Sequence, residues 1–117
     1  IAVKGTADIY SAKVLRATAG MIFDMPFAYA DGAAEIESVI RGSGRKIVVT
    51  DPAGGRPYYK EDIRKGIALV IGNEGNGISD EMMALADVRV TLPMKGGIES
   101  LNAAAAAAIL MYEAVRQ

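Results

Sequence analysis

The sequence predicts an α/β domain with a mainly parallel sheet flanked by helices. Segments with helical apolar period alternate with short apolar strand runs, as βα repetition requires. The run Lys46-Ile47-Val48-Val49-Thr50 is rich in β-branched residues and has no polar alternation, which suits a strand buried on both faces. A second such run, Ile67 to Ile71, enters a glycine-rich loop from which a helix emerges at Ser79.

Ala12 to Phe23 reads as the first helix, with Val14, Thr18, Met21 and Ile22 on one face. Pro26 breaks it, and Pro26 to Ala30 reads as a short strand or an extended connection. Ala33 to Arg41 is a second helix with Ile36, Val39 and Ile40 at i, i+3, i+4, and Gly42-Ser43-Gly44 ends it. Asp51 to Pro57 is a loop by composition, and Lys60 to Lys65 has room for one helical turn. Ser79 is placed to cap a helix running to about Ala86, with Asp80 and Glu81 favourable at its N-terminus. Val88 to Leu92 is a strand, and Ser100 to Arg116 is the last helix.

Composition narrows the chemistry. The 117 residues suffice for one domain with a core, and a 51% hydrophobic content argues against disorder. No apolar run approaches the roughly 20 residues of a membrane span. The chain contains no cysteine and no histidine. That removes disulfides, thiolate chemistry, and the commonest metal ligand and general base, so a metal hydrolase or a Ser-His-Asp enzyme is not expected. The cysteine count suits a reducing, cytoplasmic setting. Net charge is −1, with ten basic against eight acidic residues in 1–65 and three against six in 66–117. A difference that small is no nucleic-acid signature.

Three segments could carry function. Gly72, Gly75 and Gly77 follow the spacing G-x-x-G-x-G, the reverse of the dinucleotide fingerprint, and no Lys-Ser/Thr pair of a P-loop follows. A tight strand-to-helix turn accounts for one or two of these glycines. Alternatively, the loop wraps its backbone groups around a ligand. Leu92-Pro93-Met94 either closes a strand at an edge proline or, on a strand adjacent to the glycine loop, supplies apolar walls for a planar ring. Glu99-Ser100-Leu101-Asn102 opens the last helix, where one polar residue suffices for a cap. Ala103 to Ala108 favours helix, and the segment is apolar nearly all round to Met111, so more than one face needs covering.

These motifs, taken in order, resemble the SpoU-type RNA 2′-O-ribose methyltransferases of the SPOUT class, from about Tyr10 to Gln117. Lys13 to Phe23 with Met25-Pro26 is similar to the later part of the family's first motif region. Ile71 to Ser79 with Leu92-Pro93-Met94 resembles the second, and Gly97 to Asn102 with the alanine run and Tyr112 to Gln117 resembles the third.

The resemblance implies a C-terminal trefoil knot that binds S-adenosylmethionine, although general topology rules argue against knots. It implies a cofactor pocket built from backbone at Gly72 and Gly75, from Leu92, Met94 and Leu101, and more weakly from Thr50. It implies that Ser100 and Asn102 orient catalytic groups and the target ribose, and that Glu74 supports them. Arg16 matches a family arginine implicated at the RNA phosphate or the active site, across a dimer. The expected partners are tRNA or rRNA and a second copy of the chain docked through the last helix, with no metal and no membrane. The family's catalytic domains begin with a strand and helix carrying an Asn…Gly…Arg motif that residues 1–117 do not show. The chain is therefore expected to be the cofactor-binding and dimerising part of a methyltransferase, inactive alone. The alternatives are a nucleotide-binding or a dimerisation module without catalysis.

Overall fold

The strand expected at Lys46–Thr50 forms over those residues, and Ile47, Val48 and Val49 on it have no solvent exposure. The computed structural model describes residues 1–73, 75–95 and 101–117, divided into two compact units, Ile1–Ser38 and Val39–Gln117.

The first unit contains β1 (Ala2–Val3), α1 (Ala12–Ala17) and β2 (Tyr29–Ala30), and α2 (Ala33–Gly42) begins in it. β1 and β2 pair in parallel, and β1 had no counterpart in the sequence reading. The extended segment expected from Pro26 becomes a strand only at Tyr29–Ala30. The first helix is shorter than its periodicity predicts. Ser11 caps it, its Oγ accepting from Val14 N, and it stops at Ala17. Ala19 and Gly20 both take left-handed φ, 49° and 82°. Gly20 N donates to the Leu15 carbonyl and Ala19 N to that of Arg16, the paired bonds of a Schellman stop. Met21–Phe23 then form a separate 3₁₀ turn. The apolar run continues through this stop, which is why periodicity alone extended the helix.

The second unit holds β3 (Lys46–Thr50), β4 (Arg56–Pro57), β5 (Ile67–Val70), α3 (Asp80–Ala84), β6 (Val88–Thr91) and α4 (Ala103–Arg116). Its sheet has the order β4-β6-β3-β5 with every pairing parallel. β3 is central, with Val48 opposite Leu69 on one side and Val88 on the other. β4 lies within the predicted loop and places Pro57 on an edge strand, where its missing N–H costs no ladder bond. Val48, Ile63, Val90 and Leu110 form the core on the α4 side of the sheet. Ile47 and Val49 point to the opposite face, since side chains alternate along a strand.

The helical turn expected at Lys60 to Lys65 is instead a 3₁₀ turn at Tyr58–Lys60. Beyond it Ile63 enters the core with no exposure. Gln117 secures this loop: its Oε1 accepts from Ile63 N at 3.1 Å and its Nε2 donates to the Glu61 carbonyl at 3.1 Å. α3 ends at Ala84, earlier than expected. Leu85 N and Ala86 N bond three residues back to Met82 and Met83, tightening the chain for entry into β6.

Asp87 joins this unit's helical layer to its sheet. One carboxylate oxygen accepts from Arg41 Nη1 and, at 2.7 Å, from Ile47 N, while Asp87 N donates to the Ile47 carbonyl. The Arg41 guanidinium, and then the Ile47 N–H, hold the Asp87 carboxyl below its usual range. Glu113, 6% exposed, is likewise lowered by Arg116 and then Gln117. Depressed folded-state values stabilise fully above the unfolded carboxylate range, about pH 4, and that stability is lost as pH falls through the folded values. Urea midpoints should therefore fall below about pH 4. Asp87→Asn should be less stable than the unmodified chain at pH 7, and the gap should narrow at pH 3. A gap independent of pH would contradict this role.

Candidate functional site

Three parallel strands of the second unit deliver their C-terminal ends to one pocket of about 190 Å³. β3 contributes Thr50, with Asp51 and Pro52 following it, and the segment after β5 contributes Ile71, Gly72, Asn73, Gly77 and Ile78. β6 and its continuation contribute Val90, Thr91, Leu92 and Met94, and the start of α4 contributes Leu101, Ala103 and Ala106. This is the crevice in which open α/β sheets bind ligands. The sequence reading set Leu92 and Met94 on a strand adjacent to the glycine loop. In the structure β3 lies between β5 and β6, so three strand ends build the pocket.

Five of the six residues expected at a cofactor pocket line it: Thr50, Gly72, Leu92, Met94 and Leu101. Gly75 does not; its N–H donates to Asn73 Oδ1 at 2.9 Å. Of the expected catalytic residues, Asn102 precedes α4 and caps it, its Oδ1 accepting from Ala104 N and Ala105 N. Loss of such a cap costs about 1 kcal/mol. The helix thus begins after Asn102 rather than at the expected Ser100. Ser100 and Glu74 lie outside the described residues. Arg16 is exposed on the last turn of α1 in the first unit.

The glycine loop is folded by its own hydrogen bonds. Asn73 Oδ1 accepts from Gly75 N and Asn76 N, at 2.9 and 2.7 Å. Asn73 N and Gly77 O, then Gly77 N and Asn73 O, close a two-bond antiparallel bridge. The N–H groups of residues 73, 75, 76 and 77 are therefore occupied within the loop. A phosphate cradle aims such groups at an anion. These four are turned instead to acceptors within the loop.

The other wall uses the same device. Asp51 Oδ1 accepts from Ala53 N and Gly54 N at 3.1 and 2.9 Å, and Asp51 O accepts from Gly55 N. Arg89 Nη1 stands 3.8 Å from Asp51 Oδ2. Asp51 is the ionisable side chain among the described lining residues. The rest of that lining is largely apolar and small, suited to a planar heterocycle and to close backbone approach. Neither Asp51 nor Asn73 was singled out from the sequence. Their signal was an Asp or Asn followed two or three residues later by glycine, the mark of an Asx turn.

Two glycines of the loop differ in what they permit. A Cβ on Gly72 would stand 2.5 Å from Gly77 C and 2.8 Å from Ile78 N, so backbone must move. Among the described residues, a Cβ on Gly75 would meet only Asn73 Oδ1, at an ordinary 3.5 Å. Gly72→Ala should therefore destabilise by about 1–3 kcal/mol, as overpacking does, whereas Gly75→Ala should leave the thermal midpoint nearly unchanged. Equal midpoints for the two variants would show that this approach is not a constraint.

Relatives and solved structures agree with this architecture. The 23S rRNA (uridine(2479)-2′-O)-methyltransferase of Streptomyces viridochromogenes is 37% identical over 116 residues, which cover 95% of this chain and 40% of that protein. The 23S rRNA (guanosine(2553)-2′-O)-methyltransferase of Bacillus subtilis is 34% identical, over 92% of this chain and 43% of that one. The chain thus spans about two fifths of the length of these curated relatives. The crystal structure of the SpoU methyltransferase AviRb from Streptomyces viridochromogenes in complex with the cofactor AdoMet matches at a TM-score of 0.90 and 34% identity. That match covers 98% of this chain and 47% of that one. An AdoMet-bound rRNA methyltransferase from Sinorhizobium meliloti matches at 0.90 and 33%, covering 97% and 44%. The model of the SpoU rRNA Methylase family matches residues 1–112, and the chain belongs to that family.

Proposed function

We propose that the chain is the cofactor-binding part of a methyltransferase that modifies a ribose 2′-hydroxyl of rRNA or tRNA, with S-adenosylmethionine as methyl donor. The observation that carries this reading is the convergence of the second and third motif segments on one pocket at the strand ends. When bound, the donor supplies an activated methyl group on a sulfonium. Ile71, Leu92, Met94 and Leu101 offer apolar walls for its adenine, while Gly72, Ala103 and Ala106 leave room for close approach. Gly75 contributes through the turn it completes. A cation held among such walls is kept from water, which favours transfer over hydrolysis.

The remaining assignments belong to the same reading. Ser100 and Asn102 orient the target ribose, Glu74 supports them, and Arg16 serves the RNA phosphate or the reacting group from a second copy. The C-terminal knot is part of the proposal, as is a cytoplasmic setting; among the described residues no helix is long and apolar enough to cross a membrane. Residues 1–117 are read as a methyltransferase domain without the strand and helix that bring the hydroxyl-activating arginine. Losing a general base costs about 10²–10⁴-fold in rate. The 117-residue chain should therefore bind S-adenosylmethionine in calorimetry yet incorporate little labelled methyl into RNA. A longer protein carrying that segment should incorporate it readily. Robust transfer by the chain alone would refute this division of roles.

Dimerisation is proposed through α4. Ala103, Ala106, Leu110 and Glu113 face inward, whereas Ile109, Met111, Tyr112 and Val115 are exposed, Val115 at 86%. An apolar outer face of this kind on one helix is suited to a second copy. Ala108→Glu, on that outer face, should weaken association by burying an unpaired charge while leaving the fold intact. Sedimentation equilibrium of the two proteins measures it, and a monomeric unmodified chain at micromolar concentration would overturn the dimer.

A further inference from the structure

Asn73 sits three residues beyond the end of β5, between Gly72, which cannot take a Cβ, and Gly77, which adopts a φ of 66°. It is exposed, yet it makes four of the hydrogen bonds that shape the loop: two through Oδ1, one through its N–H and one through its carbonyl. We propose that Asn73 is the positioning residue of the cofactor pocket, holding the glycine loop in its binding shape through Oδ1. The proposal rests on the cofactor reading given above.

The backbone bridge to Gly77 is two hydrogen bonds between exposed residues at the neck of the loop, where water competes for both. Of the three residues between the two bridge residues, Gly75 has the widest backbone freedom of any residue type. Oδ1 draws the N–H groups of Gly75 and Asn76 back over the neck and removes that freedom. In its absence both N–H groups are solvated by water, because the residues are exposed. The fold therefore loses little, but the bridge, no longer backed by the bonds across the tip, opens part of the time, and Gly72, Gly77 and Ile78 then leave their places in the pocket wall. The ligand must then select the competent shape, and its affinity falls by the fraction of time that shape is populated. The effect belongs to binding rather than to folding.

Calorimetry with S-adenosylhomocysteine tests this on the unmodified chain and on Asn73→Ala, Asn73→Asp and Asn73→Ser. Aspartate keeps an oxygen acceptor at the same reach, and serine keeps a weaker one on a shorter arm. Alanine should raise Kd at least about tenfold, as two lost hydrogen bonds imply. Aspartate should stay within about threefold of the unmodified chain, serine should fall between, and ligand-free thermal midpoints should hardly move. Should alanine prevent folding, the comparison of serine with aspartate decides. Unchanged affinity in the alanine variant overturns the proposal. So does an aspartate variant as weak as alanine, which would place direct contact with the Asn73 amide N–H₂ in its stead. No binding by the unmodified chain overturns the cofactor reading itself, a result distinct from either of these.

Discussion

The architecture of the second unit depends on one strand being buried on both faces. Ile47, Val48 and Val49 are fully enclosed, which is possible only if β3 has a strand on each side and a layer above and below. Parallel pairing with β5 and β6 then brings three C-terminal ends together at one edge of the sheet. The pocket is a consequence of that register. The Asp87 bonds to Ile47 reinforce it where β3 and β6 meet. A slip of one residue would turn Val48 out of the core shared with Leu110.

At the strand ends the backbone must turn sharply without a secondary-structure partner for its N–H groups. The chain solves this three times in the same way. Asp51, Asn73 and Asn102 each place one side-chain oxygen on the N–H groups two and three residues ahead. Residues of each turn, or directly beside it, line one pocket, so its walls are shaped by short polar side chains as well as by core residues such as Val90. At Asn102 the same oxygen caps α4, accepting from both Ala104 N and Ala105 N.

Much of this was legible in the residues. β3, α2, β5 and β6 lie where periodicity set them, because each is apolar in a pattern that only one backbone geometry can bury. Five residues that the family resemblance implied for a cofactor pocket, Thr50, Gly72, Leu92, Met94 and Leu101, do line one pocket. What escaped depends on contacts distant in sequence. β1 and β4 have two residues each and exist only through partners 27 and 34 positions away, as in Ala2 with Tyr29 and Arg56 with Val90. The order of β5, β3 and β6 is likewise a tertiary fact, and the expected adjacency of the glycine loop and Leu92 failed on it. The stop at Ala19 was hidden because a left-handed alanine gives no compositional mark.

α4 shows how far composition can mislead when one element has several tasks. Its alanine run reads as helix propensity, but Ala103 and Ala106 stand at the pocket, where a larger side chain would fill it. One turn further on, Leu110 anchors the core with no exposure. At its end Glu113 turns inward while Val115 turns outward, the reverse of a simple amphipathic pattern. The carboxylate is tolerated there because Arg116 and Gln117 donate to it, at 2.7 to 2.9 Å. Gln117 in turn holds the loop that drives Ile63 into the core. Pocket, core and loop are thus registered along one 14-residue helix, so a rotation of α4 would disturb all three together.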